Sequence, residues 1–387
     1  MLLDSLVIKN FRSLVHFEVS KLGQVNLIVG KNNSGKSTVL EALRIYAGNA
    51  HRSLLETIAQ GHDERFRTYD SEQPDDGSSI PFQDFFTGRS FPTDDVTAIE
   101  IGSLASPLAH LSIKHALMQE VAEEIEASDG STVTRTKRQI LSQQEAANAQ
   151  TELHHVFVVQ RGVRTFPYML LVNNAARMRG LMFDSTPIHP CSVIPTQFVS
   201  MDELADAWDS IALTDQEAVV KNALRIIAPD FENLVFVRSE RTSPVSRQRP
   251  TRTAMVKLAG LERPVPLNSL GDGMLRVLQL ALKIFSAKGG FLLIDEFENG
   301  LHYSVQEKIW TLLFEMAKKL DIQVFATTHS WDCIESFSKV ANARQDIDGV
   351  LFRMGKSVRT SDAGRIIATV FDEDALRNIT QTDVEVR

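Results

Sequence analysis

The chain has 387 residues, of which 43% are hydrophobic and 23% charged; that is ordinary for a soluble globular protein and enough for one large core or two lobes. The formal net charge of −8 excludes a chain that is polybasic throughout, while leaving a local basic patch open. Cys191 and Cys333 are too few and too far apart for a cysteine metal box, the first residues carry no basic leader, and no apolar run approaches the ~20 residues of a membrane span, so a cytoplasmic protein with reduced thiols and no membrane contact is expected.

In chain order, Leu6, Ile8 and Phe11, then Val15, Phe17 and Val19, alternate as a short antiparallel pair should. They lead into an apolar strand, Val25-Asn26-Leu27-Ile28-Val29, a Gly-rich turn, and a helix from Lys36 through Leu40, Leu43 and Ile45. Residues 51–95 are less periodic, and the run from Ser71 to Ser79 reads as an exposed loop. Residues 96–172 hold several strands, clearest at Thr97-Ala98-Ile99-Glu100-Ile101 and His155-Val156-Phe157-Val158-Val159, and predict an antiparallel sheet. Residues 201–227 read as helical, with Leu204, Trp208, Ile211, Val219, Leu224 and Ile227 on buried faces. Two strands, 233–238 and 254–258, flank a polar loop. The last third alternates: strand 291–294, a helix over 302–320 with Val305, Ile309, Leu312, Met316 and Leu320 in one stripe, then strand 322–327. That alternation predicts a parallel sheet covered on both faces.

Four motifs carry chemistry. Gly30-Lys31-Asn32-Asn33-Ser34-Gly35-Lys36-Ser37 is a complete G-x-x-x-x-G-K-S between strand and helix. Its backbone amides can wrap phosphates at the positive end of a helix, Lys36 can reach the β- and γ-phosphates, and Ser37 can ligate magnesium. Thr38 follows in the first helical turn. Strand 291–294 ends in Asp295-Glu296, two carboxylates where open α/β sheets bind ligands. Asp295 suits magnesium, and Glu296 suits a general base toward water. His329, after the strand 322–327, is placed to contact the γ-phosphate or the attacking water. Ser269-Leu270-Gly271-Asp272-Gly273 opens a long apolar helix and makes a second anion-binding turn, which suggests that the other face of a nucleotide is closed in trans.

In this order the motifs resemble ABC-type ATPases, and among them the OLD-like and SMC-like branch. The resemblance is carried also by Ile8-Lys9-Asn10-Phe11-Arg12-Ser13, by Asp295-Glu296-Phe297-Glu298-Asn299-Gly300-Leu301-His302 and by Ala326-Thr327-Thr328-His329-Ser330, and it reaches the closing Val384-Glu385-Val386-Arg387. It implies an α/β ATPase head: a mixed sheet with a parallel core, an antiparallel β-subdomain and a smaller helical lobe, divided as 1–200, 201–275 and 276–387. It implies that ATP and Mg2+ are the cofactors and that Asn32, Asn33, Ser34, Gly35, Lys36, Ser37 and Thr38 hold the nucleotide. Ser269, Gly271 and Gly273 become the signature turn, which contacts ATP held by a second subunit. Arg12 joins the nucleotide-binding residues, and Gln197 takes the place of a magnesium-sensing glutamine.

The chain departs from its relatives in three ways. The signature lacks the Gly-Gly-Gln of transporters. The 258 residues between Lys36 and Asp295 contain no sustained heptad run, unlike SMC-like members. Full-length OLD proteins end in a Toprim nuclease domain, for which the 58 residues after His329 leave no room. The expected protein is therefore the ATPase alone: a homodimer, or a higher homo-oligomer, that switches a separate effector such as a nuclease, or acts on nucleic acid, in anti-phage defence. An ATPase subunit of a transporter and a P-loop kinase or GTPase are the competing readings; no N-K-x-D motif supports a GTPase. Arg238, Arg241, Arg247, Arg249, Arg252 and Lys257 surround one hairpin with Glu240 the one acid among them. They read first as a solvated tip and second as a contact to phosphates or a partner.

Overall fold

Residues 1–62, 80–126, 132–166, 169–171, 187–238, 252–362 and 364–371 are described by the computed structural model. In chain order they form β1 (Leu6–Phe11), β2 (Leu14–Val19), β3 (Val25–Val29), α1 (Lys36–Ala47), α2 (Arg52–Gly61), β4 (Ile99–Gly102), β5 (Leu111–Glu126), β6 (Thr132–Leu141), α3 (Gln143–Ala147), β7 (Leu153–Arg161), β8 (Arg164–Thr165) and β9 (Met169–Leu170). Then come β10 (Cys191–Ile194), α4 (Met201–Ile211), α5 (Asp215–Arg225), β11 (Phe231–Arg238), β12 (Arg252–Leu258), β13 (Val265–Pro266), α6 (Asp272–Ser286), β14 (Phe291–Ile294), α7 (Tyr303–Leu320), β15 (Gln323–Thr328), α8 (Trp331–Ala343), β16 (Gly349–Lys356) and β17 (Ile366–Phe371).

The central sheet runs β10-β14-β15-β3-β16-β17; all neighbours are parallel except the edge strand β17. Its strands β3, β14 and β15 are buried throughout because both faces are covered. Val25, Leu27 and Val29 of β3, Leu292 and Ile294 of β14, and Val324 and Ala326 of β15 pack with α4–α8 in one core. The alternate residues Ile28, Leu293, Phe325 and Phe352 face a second core built from α1, α2 and the antiparallel sheet. That sheet runs β2-β1-β4-β5-β7-β8, with β6 on β5 and β9 on β7. A third, small sheet, β11-β12-β13, packs with α4 and α5. The α/β class, the parallel core and the antiparallel subdomain are thus as the sequence predicts. Because β3, β14 and β15 are parallel neighbours, the segments leaving their C-terminal ends emerge along one edge of the sheet, which is where ligands bind in such sheets.

Several local expectations are refined. The helical stretch 201–227 is two helices, broken at residues 212–214, where Thr214 caps α5 by accepting from the Gln216 amide. The long β5–β6 hairpin was not resolved from the pattern. On α7 the buried face is turned in part from the predicted stripe: Ile309 and Met316 are buried as predicted, together with Trp310, Leu313, Phe314 and Ala317, whereas Val305, Leu312 and Leu320 are partly buried. The aromatic pair decides that rotation, since Trp310 stacks on Phe297 at 3.9 Å and meets Phe337 edge-on at 5.0 Å. Two described members of the basic hairpin are paired, Arg252 with Asp206 and Asp209, and Lys257 with Glu232 at 2.8 Å, whereas Arg238 is exposed at the end of β11. Arg241, Arg247 and Arg249, like the loop at 71–79 and the C-terminal Val384-Glu385-Val386-Arg387, lie outside the described residues. Among the described residues no helix is long and apolar enough to cross a membrane.

Trp310 is fully buried against the turn that follows β14. Trp310→Ala is expected to lower unfolding stability by about 3–5 kcal/mol, as read by urea denaturation.

Candidate functional site

The P-loop is shaped by two glycines and one asparagine. A Cβ on Gly30 would sit 2.6 Å from the Met354 carbonyl oxygen and 2.7 Å from Ser34 Oγ, so a side chain there has no room. Gly35 caps α1 with φ 89°, and Asn33 also takes a left-handed conformation, φ 61°. No side chain caps the α1 amides and no acid lies in its first turn, so the positive end of the helix is open to an anion. Lys36 is buried and donates to the carbonyls of Gly30 at 2.7 Å and Lys31 at 3.0 Å. Burial lowers its pKa below the ordinary lysine value, while Asp295, Glu296 and Glu298 oppose that shift. Ser34 Oγ is buried without a partner. These groups form a cradle that lacks an acceptor, as a phosphate-binding loop should.

Asp295 is the hub of the opposite wall. Ser37 Oγ donates to its carboxylate at 3.1 and 3.2 Å, Thr327 Oγ1 at 2.6 Å and Thr196 Oγ1 at 3.3 Å. Glu296 is held in a left-handed backbone conformation, φ 48°, unfavourable for a residue with a Cβ. Its amide donates to Thr327 Oγ1 at 2.8 Å, and its carbonyl accepts from Arg276 Nη2 at 2.8 Å. The same guanidinium donates to the carbonyls of Asp295 at 2.8 Å and Pro195 at 2.7 Å. Arg276 is wholly buried on α6, and burial draws its pKa down to about 10 against the pull of Asp295, Glu298 and Glu296. Only hydrogen bonding at several points makes such a group tolerable there.

His329 follows β15 with its amide 3.1 Å and its Nδ1 3.2 Å from Glu298 Oε1. It lines a cavity of about 260 Å³ with Gly30, Lys31, Asn32 and Thr328. Glu298 therefore orients the imidazole, leaving Nε2 turned from that contact.

The structure thus brings Ser34, Lys36, Ser37, Asp295, Glu296 and His329 together, with Asn32 and Asn33 exposed at the loop tip and Thr38 partly buried beneath. The signature turn lies elsewhere. Ser269 and Gly271 are exposed, Ser269 Oγ donates to the Pro266 carbonyl at 2.6 Å, and Gly271 caps α6 with no side-chain cap. A Cβ on Gly273 would stand 3.0 Å from the Gly300 oxygen, so this turn packs against the segment after Glu296. Two expected site residues have other surroundings. Gln197 is exposed on the segment after β10, and its neighbour Thr196 is the residue that touches Asp295. Arg12 is paired with Glu41 of α1 at 3.2 Å and lies over the Phe85 ring, tying the β1–β2 turn to that helix. Sequence reading also missed Thr196, Arg276, Glu298 and Thr327 as site residues. Arg276 alone gave a signal: a charge at a buried position of the apolar run 274–285.

Residues 1–157 match the family described as "AAA ATPase domain", and residues 195–332 the family described as "AAA domain, putative AbiEii toxin, Type IV TA system". Both halves of the chain are therefore similar to P-loop ATPase domains. An "ATP/GTP phosphatase" of Helicobacter pylori is 24% identical over 350 residues, 88% of each chain. Among solved structures, an SMC head bound to the C-winged helix domain of ScpA aligns with 97% of this chain and 100% of its own, at 12% identity and a TM-score of 0.49. The SMC head domain from Thermotoga maritima aligns with 96% and 100%, at 14% identity and a TM-score of 0.43.

Arg276 holds the carbonyls of Pro195, Asp295 and Glu296, so its effect is on the placement of these residues. Arg276→Gln is expected to cut ATP turnover by about tenfold or more while ATP affinity in equilibrium binding stays within a factor of about three. An equal loss of affinity would mean that Arg276 supports the whole P-loop.

Proposed function

We propose that this chain is an ATPase switch of the ABC type, closest in kind to the OLD-like and SMC-like branch. It binds ATP at residues 30–37 and closes a homodimer in which residues 269–273 of the second copy cap the nucleotide. The observation that carries this reading is the meeting of Lys36, Ser37, Asp295 and Glu296 at one edge of the parallel sheet, with Ser269 and Gly271 of the signature turn exposed.

The donor set suits magnesium. Ser37 and Asp295 offer hard oxygens within reach of each other, and such sites take one or two protein oxygens, with phosphates and water completing the shell. When bound, magnesium neutralises charge on the β- and γ-oxygens. On binding ATP, Lys36 exchanges the Gly30 and Lys31 carbonyls for phosphate oxygens. Glu296, fixed by Thr327 and Arg276, orients a water and accepts its proton. His329, steered by Glu298, contacts the γ-phosphate side and senses its loss. The open amides of α6 meet the same γ-phosphate from the second copy. Hydrolysis removes that bridge, and the dimer opens.

Closure would be read by a separate effector, such as a nuclease, or by nucleic acid. The likeness of residues 195–332 to a family whose description names AbiEii toxin supports a role in defence. The chain is placed in the cytoplasm.

Glu296→Gln is expected to reduce phosphate release by about a hundredfold or more while retaining ATP. Unchanged turnover in a malachite-green assay would assign the base elsewhere. Lys36→Ala should instead weaken ATP binding itself by about tenfold or more in a filter-binding assay; full affinity would contradict the P-loop assignment.

A further inference from the structure

A cavity of about 590 Å³ lies away from the P-loop, between α1, α2 and the residues that lead into β10. Its size is that of a small-molecule site. Leu54, Ile188 and Pro190 give it apolar walls, and Arg44 enters it from α1 close to Cys191. Arg44 is partly buried, and its guanidinium has no hydrogen-bond or ion-pair partner among the described residues. Burial lowers its pKa below the ordinary arginine value, while the nearby Cys191 and Glu41 oppose that shift.

The neighbours do not supply the missing anion. Glu41, one turn earlier on α1, is engaged by Arg12 at 3.2 Å and by His62. Burial pushes the Cys191 thiol up to about 12, so it is neutral. Thr57 Oγ1 donates to the Ser53 carbonyl at 2.7 Å, and Ser53 Oγ pairs with His51 Nδ1 at 2.9 Å. His189 is held below its ordinary pKa by burial and by Arg161, so it adds no charge at neutral pH. Among the described lining residues Arg44 is therefore the one arginine or lysine, and it stands beside the apolar walls.

We propose that this cavity binds a small monoanionic carboxylate with an apolar body. The carboxylate pairs with the Arg44 guanidinium, and the body lies against Leu54, Ile188 and Pro190. A single positive charge matches a carboxylate rather than a phosphate dianion. The site also has a route to the nucleotide. Cys191 begins β10, and two residues past its end Thr196 donates to Asp295 at 3.3 Å. Occupancy thus bears on the placement of Thr196; this consequence, unlike the binding itself, rests on the proposed ATPase function.

The test is thermal unfolding of the full chain with hexanoate, with hexanamide as its uncharged analogue, and with inorganic phosphate. Hexanoate should raise the Tm saturably at concentrations of roughly 1 mM, and hexanamide should not. Arg44→Gln should weaken the hexanoate response by about tenfold or more. Leu54→Trp, which fills the cavity and leaves Arg44 in place, should abolish it. Lys36→Ala should leave it unchanged, so failure of the nucleotide reading and failure of this one are separable. The proposal is overturned by no saturable response up to roughly 20 mM, by an equal response to hexanamide, by a response that survives both Arg44→Gln and Leu54→Trp, by its loss in Lys36→Ala, or by an Arg44-dependent response to phosphate in place of hexanoate.

Discussion

A left-handed glutamate at the end of β14 is the point on which the site turns. Glu296 accepts an unfavourable backbone conformation because both sides of its peptide frame are tied down, the amide by Thr327 and the carbonyl by Arg276. Strain of this kind costs about 1–3 kcal/mol and persists only where surrounding contacts over-determine it. Here the contacts come from two directions. Thr327 belongs to the neighbouring strand β15, which also delivers His329. Arg276 belongs to α6, which begins with the signature turn. The catalytic candidate is thus held between β15, which leads to His329, and α6, which opens at residues 269–273.

That arrangement gives the proposed switch a physical path. A shift of α6 caused by contact at residues 269–273 would move Arg276, and with it three carbonyls, those of Pro195, Asp295 and Glu296. Pro195 precedes Thr196, which touches Asp295 from the side of β10. Asp295 and Glu296 are therefore tied to the same guanidinium. A rigid, wholly buried arginine suits that task better than a lysine, because its planar fork reaches several carbonyls at once.

Much of this was legible beforehand. The P-loop and Asp295-Glu296 could be read because their chemistry demands fixed residue types at fixed spacing, next to strands whose apolar runs announce burial on both faces. What could not be read was set by tertiary contact. Gln197 and Thr196 are adjacent, and only the pairing of β10 with β14 decides that the threonine meets Asp295. Arg12 sits in a family-like segment, yet Glu41 on α1 claims it. The α7 stripe was misplaced because periodicity weighs Val305 and Leu312 like any apolar residue, whereas stacking of Trp310 on Phe297 fixes the rotation. Arg276 stood in plain view as a charge inside an apolar helix, but its partners are backbone carbonyls, which carry no sequence signal.

The most direct test of the account is the mass of Glu296→Gln in solution with ATP and magnesium, by light scattering coupled to size exclusion. The account predicts two chains per particle with ATP, one with ADP, and one when Ser269→Arg is added to block the turn. A particle that keeps the same mass with ATP, with ADP and with Ser269→Arg, although ATP is bound, would contradict it.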